Sequence, residues 1–243
     1  MKTSNKILVG VLVFALAFLT AVHLVIYARY KAGRYVTSRH LREERFDSYP
    51  ATGNLLLVSL AGLDNVTLVP SDTPRVEIEK GASGRPHLQF GDGVLSLRGD
   101  TLVSSPAGGM QRIKSYRQVV VYLPSGVPVQ ADFCGLTLMG SADSLHAPGN
   151  HSVKLNETDF HIGWVNRDLP GGNYFDSLQV DPATRSSVDI YSGATLRSLT
   201  INLSAANLDD NQARIGRIYL QADTSSTIKL SGANLANTRF ILK

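Results

Sequence analysis

The chain of 243 residues has a single cysteine, Cys134. That excludes an internal disulfide framework and any zinc site built on two or more thiolates. Charge is sparse: Asp, Glu, Lys and Arg make up 18% of residues, against about a quarter in ordinary soluble domains. Aromatics are only 7%, with one tryptophan, Trp164. No Gly-x-Ser-x-Gly, Walker A, dinucleotide-binding glycine fingerprint or His-Glu-x-x-His pattern occurs, so those hydrolase, NTPase, dehydrogenase and zinc-protease signatures are missing. After residue 50 there is no amphipathic stretch of ten or more residues that reads as a helix. What remains is a chain that is 43% apolar, enough to exclude wholesale disorder.

The net charge of +4 is unevenly distributed. Residues 1–45 hold eight basic side chains against Glu43 and Glu44, whereas residues 46–243 hold 16 basic and 18 acidic groups. The basic character therefore belongs to the N-terminal segment. Beyond it no Lys/Arg stripe interleaved with aromatics appears, so a nucleic-acid partner is not expected.

That segment contains one long hydrophobic run, Ile7 to Tyr27, interrupted only by Thr20 and His23. As a helix it spans roughly 30 Å, one bilayer core. It exceeds the usual h-region of a cleaved signal peptide, and no small-x-small site follows it. It reads as an uncleaved single-pass anchor over residues 1–28. Residues 29–50 read as a basic juxtamembrane stalk, with a helical tendency around Ser38–Arg45, and residues 51–243 as one β-domain. The basic flank after the run favours a cytoplasmic β-domain by the positive-inside rule.

After residue 50, short alternating apolar stretches are separated by turn clusters such as Gly91-Asp92-Gly93 and Pro124-Ser-Gly126. The C-terminal part repeats. Leu178, Leu199 and Ile218 fall in phase, as do Val188, Leu208 and Ile228, and again Leu196, Ile215 and Leu235. A period of about 20 residues with three short strands predicts a right-handed parallel β-solenoid, an all-β fold in which inward residues of successive coils stack in columns. Leu136-Thr-Leu138 and Val153-Lys-Leu155 extend the pattern upstream, and Val153 is expected over Leu178 across an insertion of a few residues. In this phase Leu199 and Ile228 point inward and Thr200 outward.

Three stretches together carry a family resemblance: Leu63-Asp-Asn-Val-Thr-Leu-Val-Pro70 with Arg75-Val-Glu-Ile-Glu-Lys-Gly81, then Asp92-Gly-Val-Leu-Ser-Leu97, then Val119–Pro124 followed by Leu-x-Leu coils ending at Ile228-Lys-Leu-Ser-Gly232. Over about residues 54–240 the chain resembles the bacterial auto-transporter adhesin "head GIN" domain family. It departs from that family in lacking repeated Ser-Gly-Ser-Gly corners. The resemblance implies a non-enzymatic cell-envelope protein with its β-domain outside the cytoplasm, serving as an adhesin or scaffold. Its expected partners are the membrane and a surface glycan or protein; no cofactor and no catalytic residue come with it. The rival reading is an envelope lyase or hydrolase on a β-helix scaffold, which would need carboxylates gathered in one outer groove.

Candidate chemistry is thin. Asp159 and His161 could share one strand face, with His151 and Glu157 close in sequence; no metal site is assigned to them. Asp209 and Asp210 should point to opposite faces, and Asp181 and Asn202 should stack in one column. The break in period between Leu155 and Leu178 holds an aromatic-rich stretch. Phe160, Trp164, Arg167 and Tyr174 there are the candidate binding residues, because an insertion must leave the stack and exposed aromatics suit sugar or protein contacts.

Overall fold

The structure, a computed structural model, describes residues 3–31, 45–51, 53–81, 86–99, 102–104, 110–112, 118–143, 149–163, 169 and 172–241. It falls into two units, Met1–Glu44 and Arg45–Lys243.

The first unit is helix α1 (Thr3–Lys31). Its stretch Val9–Arg29 has a mean hydropathy of 2.6 and is long and apolar enough to span a membrane or act as a signal anchor. Both polar interruptions are absorbed by the helix itself. The Thr20 hydroxyl donates to the Leu16 carbonyl at 2.8 Å, and His23 Nδ1 bonds the Leu19 carbonyl at 2.9 Å. Arg29 and Lys31 sit in the last turn, where cations suit the helix dipole. The helical tendency expected around Ser38–Arg45 lies outside the described residues up to Glu44.

The second unit is mostly β. Its strands are β1 (Phe46–Pro50), β2 (Leu57–Ala61), β3 (Val66–Pro70), β4 (Arg75–Glu79), β5 (His87–Gly91), β6 (Val94–Arg98), β7 (Leu102–Ser104), β8 (Met110–Arg112), β9 (Val119–Leu123), β10 (Val129–Asp132) and β11 (Gly135–Leu138). There follow β12 (His151–Asn156), β13 (Asp159–Ile162), β14 (Tyr174–Ala183), β15 (Ser187–Ile190), β16 (Thr195–Leu203), β17 (Asn207–Asp209), β18 (Arg214–Ile215), β19 (Ile218–Ala222), β20 (Thr227–Lys229), the short helix α2 (Gly232–Ala236) and β21 (Thr238–Phe240). Strand β1 pairs with β4 from Phe46↔Glu79 to Pro50↔Arg75. Residues 46–50 thus belong to the β unit, which shortens the expected stalk. Phe46 is what draws them in: it packs with Val69, Val120, Tyr122, Met139 and Leu169.

Two large sheets carry the fold. One runs β1-β4-β9-β3-β11-β13-β15-β17-β20, the other β21-β19-β16-β14-β12-β10-β2-β6-β5. From β10 onward the chain alternates between them, save that β18 and β19 follow one another along β16, and each strand pairs parallel with its counterpart in the next repeat. Inward residues form columns. Leu95, Val58, Val129, Val153, Val180, Ile201 and Leu220 stand in register across one sheet, all 2% exposed or less. Across the other run Val66, Leu136, Phe160, Val188, Leu208 and Ile228. Branched aliphatics suit such columns because each packs against its like above and below.

The sheets are mixed, which departs from the expected parallel solenoid. β1 and β4 run antiparallel to their neighbours, as do β5 against β6 and β7 against β8. Other expectations also shift. Leu136 and Val153 lie in different sheets, and Val153 pairs with Val180 rather than Leu178. Two of the three expected faces merge, because β14 and β16 each carry both in one long strand. Leu235, expected over Ile215, sits exposed in α2. Ile228 is inward but only half-buried, since β20 ends its sheet.

One corner recurs. Phe133, Glu157, Arg185 and Ala205 all have left-handed backbones, with φ of 53°, 45°, 56° and 49°. Their amides join the corners: Phe133 to the Asn156 carbonyl, Glu157 to Thr184, Arg185 to Ala205. Beside them hydroxyls accept amides of the preceding repeat: Thr158 from Cys134, Ser186 from Thr158, Ser226 from Ala206. These bonds give the corner's amides protein partners.

Candidate functional site

The insertion leaves the sheet after Ile162 through Gly163, whose φ is +79°, and where a Cβ would stand 2.5 Å from that of Ala194. It returns through Gly172 and Tyr174, which exchange backbone hydrogen bonds with Gly140 and Ser141 at 2.8–3.1 Å. Of the four candidate binding residues, Phe160 is fully buried in its column. Its ring is core, because Asp159-Phe-His-Ile162 alternates and places Phe160 with Ile162 inside. Phe175 is likewise core. Tyr174 is half-buried and faces outward, in register with Thr195 and then Arg214. Trp164 and Arg167 lie outside the described residues.

Asp159 and His161 do share the outer face of β13. His151 lies buried in the other sheet, and Glu157 pairs with Arg185 at 3.0 Å. The four are therefore dispersed. Among the described residues, no three His, Cys, Asp or Glu side chains are placed to hold a metal ion.

A charged row that the sequence reading missed crosses the same sheet. His161, Asp189, Asp209 and Lys229 stand in register on β13, β15, β17 and β20. His161 Nδ1 is 3.7 Å from Asp189 Oδ2, and Lys229 Nζ is 2.6 Å from Asp209 Oδ2. Ser187 Oγ donates to Asp159 at 2.9 Å. Partial burial pushes the Asp189 carboxyl up; His161 and Lys229 oppose that, and Asp209 and Asp159 reinforce it. Asp209 is held low, chiefly by its hydrogen bond from Lys229 and then by the Asn211 amide. Neighbouring carboxyls pushed apart in this way can divide proton donor and acceptor roles. The signal was present in the 20-residue spacing of Asp189 and Asp209, which only their shared phase reveals.

The row ends at a cleft of about 950 Å3 beside the last repeat, lined among others by Asp209, Asn211, Gln212, Arg214, Lys229 and Ser231. Its floor is built on Asp210 and Asn234, each 2% exposed. Asp209 is partly exposed beside Lys229, whereas Asp210, expected on the opposite face, lies just past the end of β17 and is buried. Asp210 accepts from Asn234 Nδ2 at 2.7 Å, the Ser231 amide at 2.8 Å and the Ser231 hydroxyl at 3.0 Å. Burial opposes ionisation of Asp210, but these hydrogen bonds together hold its carboxyl below the ordinary range. On the other sheet Asn202 Nδ2 donates to Asp181 Oδ1 at 2.5 Å, the stacked pair expected from the repeat.

A smaller cleft of about 310 Å3 lies along the bend of β14 and β16, lined by Asp176, Ser177, Arg197, Ser198, Gly216, Arg217 and Tyr219. Gly216 also lines the larger cleft.

No family model and no curated protein matches the sequence significantly. Among solved structures, the chain overlaps a "putative cell adhesion protein" from Clostridium sporogenes at 9% identity and a TM-score of 0.29, covering 82% of this chain and 100% of that one. A "putative adhesin" from Parabacteroides merdae overlaps at 12% identity and 0.27, covering 82% and 96%. A "putative lipid binding protein" from Parabacteroides distasonis overlaps at 9% and 0.29, covering 81% and 97%. Overlaps this loose carry no argument about what this chain does.

Proposed function

We propose that this is a non-enzymatic, single-pass cell-envelope protein whose β unit stands outside the cytoplasm and binds a surface glycan or protein. In this reading the parallel ladders are the coils of a right-handed β-solenoid of about 20 residues per coil, capped by antiparallel strands at the N-terminal end. The observation that carries it is the register itself. Outward polar residues line up in rows across each sheet, giving an extended repetitive surface of the kind repeat proteins use for binding. The apolar helix Val9–Arg29 and the sequence resemblance to the adhesin "head GIN" family support an envelope location. A reporter active only outside the cytoplasm, fused after Lys243, will be active; activity of a cytoplasmic reporter alone would overturn the reading.

Trp164 and Arg167 belong to this proposal as the binding residues expected from the sequence of the insertion. Trp164→Ala will abolish attachment to the cell surface with melting nearly unchanged. A fall in melting temperature of several degrees would make Trp164 a packing residue.

The carboxylates Asp189 and Asp209, in one row with His161, favour the second reading, an envelope carbohydrate-active enzyme. Asp189→Asn tests it: loss of a glycan-cleaving activity would replace the first reading with the second.

A further inference from the structure

The bend shared by β14 and β16 gathers positive charge in a unit that is slightly acidic as a whole. Arg197 follows Leu196 in β16, and Arg214, Gly216 and Arg217 flank Ile215 on the adjoining repeat. All three arginines are exposed. Arg197 pairs with Asp176 at 3.2 Å. Among the described residues, Arg214 and Arg217 have no ion pair. The larger cleft takes in Arg214, the smaller takes in Arg197, Arg217 and Tyr219, and the two meet at Gly216. A Cβ on Gly216 would lie 2.8 Å from the Arg197 carbonyl oxygen, so only glycine lets the repeats close up and keeps the junction open.

We infer that this junction binds an acidic glycan, an oligosaccharide bearing carboxylates. The inference rests on the surface-binding reading above and names its ligand class. Unpaired guanidiniums present a fork that matches a carboxylate in two hydrogen bonds. Ser177 and Ser198 line the smaller cleft, and Asn211 and Gln212 the larger; hydroxyls and amides of this kind meet sugar hydroxyls. Tyr219 offers a ring for a sugar face. The charge lies along recessed clefts and is interleaved with these neutral polar groups; the carboxylates there, Asp176, Asp209 and Asp210, are engaged by Arg197, by Lys229, and by Ser231 with Asn234. A bilayer surface would instead call for basic residues spread over an exposed face.

The test uses the full chain in detergent-free phosphatidylcholine nanodiscs, with oligogalacturonate as probe, maltohexaose as the neutral counterpart, and phosphatidylglycerol vesicles. Wild type will bind oligogalacturonate at least tenfold more tightly than maltohexaose, and the affinity will fall with salt. Arg214→Gln with Arg217→Gln will weaken it at least tenfold. Arg98→Gln with Lys154→Gln, which removes equal charge elsewhere on the same sheet, will change it less than twofold. Unchanged melting of both double variants will show that the fold is intact. Equal loss in both pairs would reduce the effect to net charge and overturn the inference. So would absence of oligogalacturonate binding, or binding to the vesicles alone through Arg214 and Arg217. An active external reporter together with no oligogalacturonate binding sinks this inference and leaves the surface-binding reading standing.

Discussion

Asn234 does with a side chain what a further strand would do with its backbone. Its Nδ2 donates to the Ala213 carbonyl at 2.8 Å, and its Oδ1 accepts the Ile215 amide at 3.3 Å. Asn237 Nδ2 covers the Ile215 carbonyl at 3.1 Å. Strand β18 is thus closed off by amides where helix α2 replaces the next strand. Asn234→Leu leaves the Ile215 amide and the Asp210 carboxylate short of partners and should cost about 1–3 kcal/mol by chemical denaturation. His151 is the other telling residue. It is 3% exposed, its Nε2 has no hydrogen-bond partner, and burial pushes its pKa down to about 4 from 6.5. The unfolded chain therefore takes up the proton first. The contribution is whole above pH 6.5 and is lost as pH falls toward 4, on the order of 3 kcal/mol in all. His151→Leu should flatten the stability profile across that window; an unchanged slope would mean that the ring is not held neutral. Neither residue was legible as such, since a lone His or Asn reveals its role only through what surrounds it.

At the scale of elements, the columns explain why half the repeat could be read and half could not. Leu178, Leu199 and Ile218 are true register partners, and each time the chain makes a single pass through the other sheet between them, by β15 and then β17. Upstream, Val58 pairs with Val129 while β3 to β9 intervene, and the repeat of β2 and β3 lies between those of β6 with β9 and β10 with β11. Stacking order there differs from chain order, so no fixed spacing exists to be found. The antiparallel caps left no trace for the same reason. The candidate site divided similarly: alternation alone puts Phe160 inside, whereas the charged row and the Gly216 junction arise only when repeats are stacked. Leu199 is fully buried and Thr200 faces outward. Leu199→Ala should cost about 2–5 kcal/mol and Thr200→Ala no more than about 0.5 kcal/mol. Equal losses in urea would contradict the register.

For the whole molecule, an apolar helix is joined in one chain to a β unit with a polar, repetitive exterior. The positive flank after the helix argues for one side of the membrane and the proposed surface-binding role for the other. The proposed function puts the β unit outside the cytoplasm. Protease digestion of spheroplasts, intact and then permeabilised, tests it most directly. An outward β unit will be lost in intact spheroplasts, with a cytoplasmic marker preserved. Protection until permeabilisation, with digestion only when the cytoplasmic marker is also lost, would contradict it.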